Sequence, residues 1–70
     1  MSAFAERLKE LRKERHLTQI DLAQALGVAM NTVSIWERGE RQPNDSVFFK
    51  IAEFFDVPFT YLAGVTDNRE

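Results

Sequence analysis

Few side chains in this 70-residue sequence could do catalytic or metal chemistry. His16 is the only histidine and cysteine is absent, which excludes disulfides, thiolate metal sites and cysteine nucleophiles. No Ser/His/Asp set can be assembled on adjacent helical faces around His16, and no metal-ligand spacing occurs. We therefore expect a protein that is not an enzyme and needs no metal or other cofactor, with His16 exposed in a turn.

A different chemistry is open to the segment GVAMNTVSIWERG, residues 27–39. On a helix that turns 100° per residue, Val33, Trp36 and Glu37 cluster on one side, which we expect to pack on the first and fourth helices. The opposite side presents a carboxamide, a hydroxyl, apolar groups and a cation, from Asn31, Ser34, Ile35 and Arg38, with Met30 at its edge. Those groups suit contact with a partner molecule.

The elements that position this segment must belong to one small domain. The hydrophobic content of 44% is enough for a single core. No apolar run approaches the about 20 residues of a membrane span, and the N-terminus lacks the basic and then apolar regions of a secretion signal. We expect a soluble, cytoplasmic protein with no membrane partner.

The charge is unevenly distributed along the chain. The formal net charge is −2, yet residues 1–42 hold seven Lys and Arg against six acids, and residues 43–70 hold two against five. A polyanionic partner should therefore meet the first part of the chain.

Capping residues mark the first two helices. In AFAERLKELRKER, residues 3–15, apolar residues recur at spacings of four and three, and Ser2 can cap the start. Thr18 and Asp21 form a short capping box before a second helix, which Gly27 would end. Because so few residues separate this helix from the next, the two must meet at a sharp corner.

Two more helices follow the third. DSVFFKIAEFFDV, residues 45–57, repeats apolar residues at helical spacing. PFTYLAG, residues 58–64, begins with Pro58 in its first turn and closes at Gly64. Residues 65–70 read as a polar tail or the start of a linker.

The stretch LTQIDLAQALGVAMNTVSIWERGERQP resembles the Cro/CI-type helix-turn-helix, the XRE family of bacterial and phage repressors. The resemblance is carried by Gln19, Ala23, Gly27, Val33, Trp36, Glu37 and the loop from Gly39 to Pro43. It implies an all-α, compact, five-helix lambda-repressor-like domain over residues 1–64, with the helix-turn-helix at helices 2 and 3. It also implies a transcriptional repressor that binds double-stranded DNA at an inverted-repeat operator as a homodimer, with helix 3, about residues 30–38, in the major groove.

Four residues are then predicted to contact bases: Met30, Asn31, Ser34 and Ile35. A carboxamide pairs bidentately with the major-groove edge of adenine, which makes Asn31 the most informative of them. The alternative is that Asn31 caps helix 3. Met30 and Ile35 would form an exposed apolar pair that contacts thymine methyl groups, unless Ile35 is a scattered surface hydrophobe.

Contacts to the DNA backbone are predicted from Gln19 and Thr32, at helix starts beside free amides, and from the cations Arg38 and Arg41. The alternative for Arg41 is a solvated loop charge. Glu40 stands where loops of the family often have Lys or Arg, so it should repel phosphate and weaken binding.

The resemblance also implies structural support beneath helix 3. The family pairs an arginine of the first helix, here Arg12, with Glu37, and Trp36 is expected in the core. If this pair is partly buried, breaking it is costly because the remaining charge loses its partner.

The aromatic residues of the last two helices favour a second function. They exceed what one helix face can bury, and Phe49, Phe54 and Tyr61 would form a dimer or partner surface. On this alternative the chain is a helical protein-interaction module, such as an antitoxin or the N-terminal domain of a larger regulator.

Overall fold

The computed structural model describes residues 2–70, and within them the chain forms five α-helices and no strand. The helices are α1 (Ala3–Glu14), α2 (Gln19–Leu26), α3 (Thr32–Glu37), α4 (Asp45–Phe54) and α5 (Phe59–Leu62). The prediction of an all-α, five-helix domain is confirmed.

The helix ends follow the capping chemistry of the sequence. The Ser2 hydroxyl accepts a hydrogen bond from the Ala5 N–H at 3.2 Å and starts α1. The Thr18 hydroxyl and the Asp21 carboxylate bond to each other's backbone N–H at 3.0 and 2.9 Å, which is a complete capping box for α2. The two hydrogen bonds from Thr18 lower the pKa of Asp21. Gly27 then ends α2 in the left-handed conformation, at φ 73°.

Two helix starts differ from the sequence-based expectation. α3 begins at Thr32 rather than near residue 30, because the Thr32 N–H donates to the Ala29 carbonyl at 3.0 Å and closes a tight turn ahead of the helix. Pro58 lies at the N-cap of α5, one position before the first turn, in extended backbone with ψ 146°. Both helices are consequently shorter than expected.

The core lies where α1, α2 and α3 meet and continues between α4 and α5. Its fully buried side chains are Leu8, Leu22, Val33, Ile51 and Leu62. α3 packs mainly on α1 and α2, which corrects the expectation that it packs on α1 and α4. Packing on α2 follows from the tight corner between the two helices.

Tyr61 was expected on a partner surface, but it is a core residue with 4% exposure. Its hydroxyl donates to Glu10 at 3.2 Å, and the Arg7 guanidinium lies 4.1 Å from the ring centroid. This cation–π contact and the hydroxyl bond on α1 turn the ring inwards. The expectation for Tyr61 was wrong because nothing local in the sequence shows these two partners.

Residues 65–70 lie against α1. Arg7 donates to the Tyr61 carbonyl at 3.2 Å and to the Thr66 carbonyl at 3.0 Å. Arg69 pairs with Glu14 at 2.7 Å, and that hydrogen bond lowers the pKa of the carboxylate. The domain boundary at residue 64 stays a prediction, since these contacts join the tail to the helices before it.

Among the described residues, no helix has both the length and the apolar content needed to cross a membrane.

Candidate nucleic-acid interface

The corner between α2 and α3 is fixed by backbone and side-chain hydrogen bonds. The Val28 N–H donates to the Ala23 carbonyl at 3.0 Å, past Gly27. Lys50, on α4, donates its Nζ to the Leu26 carbonyl at 2.9 Å and so satisfies an end group of α2. These hydrogen bonds involve α2 and α4, so both helices hold the corner from which α3 leaves.

A buried ion pair holds α3 from beneath. Arg12 Nε and Nη2 donate to the two oxygens of Glu37 at 2.7 and 3.0 Å, in a bidentate arrangement. The residues are 9% and 6% exposed, and these hydrogen bonds raise the pKa of Arg12. The expected pair is thus present, and Trp36 beside it is buried as expected.

The same network includes α2 and the turn before it. Arg12 Nη1 donates to the Leu17 carbonyl at 2.8 Å, and Gln19 Nε2 donates to Glu37 at 3.1 Å. Every buried side-chain nitrogen and oxygen of the described residues has a hydrogen-bond partner. Gln19 therefore has a structural role that the sequence analysis missed, and its contact with the DNA backbone stays a prediction.

The outward side of α3 carries the residues predicted to contact bases. Asn31 is exposed and Met30 is 61% exposed, both just before the first helical residue. Ser34 is half-buried, and so is Ile35, which corrects the expectation of a solvent-exposed apolar pair. The Glu40 N–H donates to the Ile35 carbonyl at 3.2 Å, which brings the following loop back to this part of α3.

Asn31 occupies the N-cap position of α3 without capping it. Its side chain makes no capping hydrogen bond, and its backbone is right-handed helical, with φ −92° and ψ −2°. A capping residue usually has extended backbone. The alternative role of Asn31 as a cap therefore has no support in this structure, and its carboxamide is left available.

The charged residues at the end of α3 are arranged differently from what was expected. Arg38 Nε donates to Glu40 at 2.6 Å, and its Nη1 donates to the Ser34 hydroxyl. The hydrogen bond from Arg38 lowers the pKa of Glu40. Glu40 was expected to repel phosphate, and its carboxylate is paired with Arg38; its effect on DNA binding stays a prediction. Arg41 is exposed and makes no ion pair with any residue from 2 to 70.

A second exposed feature is an aromatic pair on the last two helices. Phe49 is 54% exposed and Phe59 is 41% exposed, with the rings stacked at 4.7 Å. A cleft of about 270 Å³ opens beside Phe59. Phe54, expected on this surface, is half-buried against the core under Arg15, whose guanidinium lies 5.3 Å from its ring centroid. The apolar surface is therefore the Phe49–Phe59 pair, and Phe59 was not among the residues expected there.

Two helices at a fixed corner, with a short second helix that exposes one side, define a helix-turn-helix domain. Residues 8–62 match the family model described as "Helix-turn-helix". The chain belongs to the Cro/CI-type, or XRE, helix-turn-helix family of transcriptional regulators.

The chain spans 60% of the length of one curated relative and less of two others, and the three differ in their described activity. The chain is 36% identical over 66 residues to the cryptic phage CTXphi transcriptional repressor RstR of Vibrio cholerae, covering 94% of this chain and 60% of RstR. It is 41% identical over 59 residues to the transcriptional activator BcrR of Enterococcus faecalis, covering 84% of this chain and 29% of BcrR. The type II methyltransferase M.SsoII of Shigella sonnei is 37% identical over 58 residues, which cover 79% of this chain and 15% of that enzyme. Similar sequences therefore occur in a transcriptional repressor, in a transcriptional activator and in a methyltransferase.

Replacement of Arg12 tests the buried pair. We expect Arg12→Ala to lower the free energy of unfolding by about 3 kcal/mol, because Glu37 is left charged and unpaired in the core. Chemical denaturation measures the change, with Lys13→Ala on the exposed side of α1 as the matched control. A variant that unfolds like the control but no longer binds DNA would mean that Arg12 contacts phosphate instead.

Proposed function

We propose that this chain is a sequence-specific, double-stranded DNA-binding transcriptional repressor that places α3 in the major groove of its operator. The observation that carries the proposal is the free outward side of α3, held at a fixed angle by the buried Arg12–Glu37 pair. The major groove, about 12 Å wide, admits an α-helix. Such a protein acts where the DNA is, so we also propose a cytoplasmic location.

Base contacts in this proposal come from Met30, Asn31, Ser34 and Ile35. Asn31 is the strongest reader, since its exposed carboxamide makes no capping bond and can pair with adenine N6 and N7. Met30 is exposed enough to reach a thymine methyl group. Ile35, half-buried, would add a smaller apolar contact.

Contacts to the DNA backbone in this proposal come from the side chains of Gln19, Thr32 and Arg41, since the Thr32 N–H already donates to the Ala29 carbonyl at 3.0 Å. Gln19 uses one amide hydrogen on Glu37 and has a second for a phosphate oxygen. Arg41 is an exposed cation in the loop after α3. In a protein that binds a polyanion, such a cation can neutralise a phosphate, which favours this role over that of a solvated loop charge. These contacts fix the position of α3 along the groove without reading sequence.

The proposed repressor is a homodimer that binds an inverted repeat. The Phe49–Phe59 pair supports this assembly, because two large exposed rings side by side are costly on a monomer. Repression, as opposed to activation, is supported by the match to the repressor RstR, which covers 94% of this chain and 60% of RstR, against 84% of this chain and 29% of the activator BcrR. The alternative function uses the same aromatic pair to bind a different protein, such as a toxin or a regulatory domain.

Selection of duplexes from a random DNA pool tests the proposal directly. We expect enrichment of an inverted repeat with half-sites about one helical turn apart, as a two-fold symmetric dimer requires. No enrichment, even at low salt, would reject the repressor function and favour the protein-interaction module.

Asn31→Ala tests which residue reads the operator. We expect relaxed preference at one symmetric pair of positions, with a loss of about 1 to 3 kcal/mol of discrimination, and nearly unchanged stability. The matched control is Asn44→Ala: Asn44 caps α4 through a 2.9 Å bond from the Val47 N–H, so its loss should cost about 1 kcal/mol of stability and leave base preference intact. Competition binding that varies one operator position at a time separates the two results, and uniform weakening with Asn31→Ala would reject the reader.

Phe49→Glu tests the dimer. A carboxylate beside Phe59 should prevent two copies from burying the aromatic pair, so sedimentation velocity should show a monomer where the wild-type chain is a dimer. Ile20→Glu, which changes an exposed apolar residue of α2, is the control and should remain dimeric. A Phe49→Glu variant that stays dimeric would place the interface elsewhere.

A further inference from the structure

We propose that Arg38 reads a guanine in the operator and that Glu40 is the residue that positions it. The proposal rests on the proposed function, since it assumes that the outward side of α3 faces the bases. It also revises the prediction that Arg38 contacts the DNA backbone.

The hydrogen bond to Ser34 places the Arg38 guanidinium on the base-contacting side. Arg38 is the C-cap residue of α3, and its Nη1 donates to a hydroxyl one turn earlier. Side chains on a helix lean towards its N-terminus, so residues four apart share a face. The guanidinium therefore lies beside Ser34, on the side of α3 that also carries Asn31.

Glu40 holds the same guanidinium from the other side. Its Oε2 accepts from Arg38 Nε at 2.6 Å and its Oε1 from Nη2 at 3.5 Å. An arginine side chain is long and loses much rotamer freedom when it binds, and a carboxylate that is paired with it beforehand removes part of that loss. Glu40 thus acts through Arg38 and needs no contact of its own with DNA.

The donors that remain suit guanine. A guanidinium has five N–H donors, of which Glu40 and Ser34 use three, so two are left. Guanine presents two acceptors, N7 and O6, in the major groove, and arginine pairs with both. Since both side chains of the ion pair are about half exposed, at 54% and 56%, DNA can reach the guanidinium without a rearrangement of the core.

A phosphate contact by Arg38 fits the geometry less well. The paired carboxylate would lie next to the phosphate and oppose the attraction. An exposed ion pair of this kind is too weak to contribute much to folding. Neither a contribution to folding nor a phosphate contact accounts for the Arg38–Glu40 pair. A role in positioning an arginine that contacts a base does account for it.

The experiment uses the full chain and the duplexes that it selects from a random pool. We expect a G·C pair at one symmetric position, and Arg38→Ala should lose preference for it by roughly 5- to 150-fold while preference at the Asn31 position is retained. Arg38→Lys keeps the charge but loses the planar fork, so it should also lose the preference. Glu40→Gln should weaken the preference for G·C by up to about fivefold without lowering stability.

A phosphate contact by Arg38 predicts a different set of results for the same variants. If Arg38 contacts phosphate, Arg38→Ala weakens binding to all sequences alike, and the slope of log affinity against log salt becomes shallower by about 0.9 per subunit. In that case Arg38→Lys binds normally, and Glu40→Gln strengthens binding to every duplex. That pattern overturns the inference and leaves the proposed function intact. Failure of the wild-type chain to enrich any sequence rejects the proposed function itself.

Discussion

The buried pair between Arg12 and Glu37 is the interaction on which the rest of the structure depends. α3 has six residues, which is too short for a helix to be stable alone. The pair attaches it to α1, and the same guanidinium bonds the Leu17 carbonyl in the turn before α2. Removal of two charges from water is costly, and here a bidentate geometry together with the Gln19 donor offsets that cost. The main effect of this network is to fix the angle between α3 and the helices beneath it, whether or not it adds net stability to the fold.

Because its angle is fixed, α3 has one side that is always buried and one side that is always exposed. Val33 and Trp36 are buried with Glu37, while Asn31 and Arg38 stay exposed at the two ends of the opposite side. A free carboxamide at one end and a positioned guanidinium at the other suit different bases, adenine and guanine. A rigid helix would present both groups to the groove at a constant separation, which is the condition for reading a defined sequence.

Local rules in the sequence predicted much of this fold. Ser2, Thr18 and Gly27 act as the capping rules require, and the Arg12–Glu37 pair followed from the family resemblance. The predictions that failed concern residues whose surroundings are set by contacts between distant parts of the chain or by side chains that bond within the domain. Tyr61 is turned inwards by Arg7, 54 residues away in sequence, and no periodicity encodes that contact. At the site, the exposure of Asn31 followed from helix geometry. The role of Gln19 beneath α3 did not, since a residue at a helix start gives no sign of which neighbour lies below it.

The proposed DNA binding would rely on few phosphate contacts, because most of the Lys and Arg side chains bond to groups of the protein itself. Five of the nine Lys and Arg residues bond to groups elsewhere in the fold: Arg7, Arg12, Arg15, Lys50 and Arg69. Arg38 is paired with Glu40, and within residues 2–70 only Lys9, Lys13 and Arg41 lack an ion pair or a side-chain hydrogen bond. Non-specific binding comes almost entirely from phosphate neutralisation, so we expect a chain with so few available cations to bind random DNA weakly. In the proposed function, selectivity would then depend on the few groups that α3 presents to the bases, with α3 held in place by the buried Arg12–Glu37 pair.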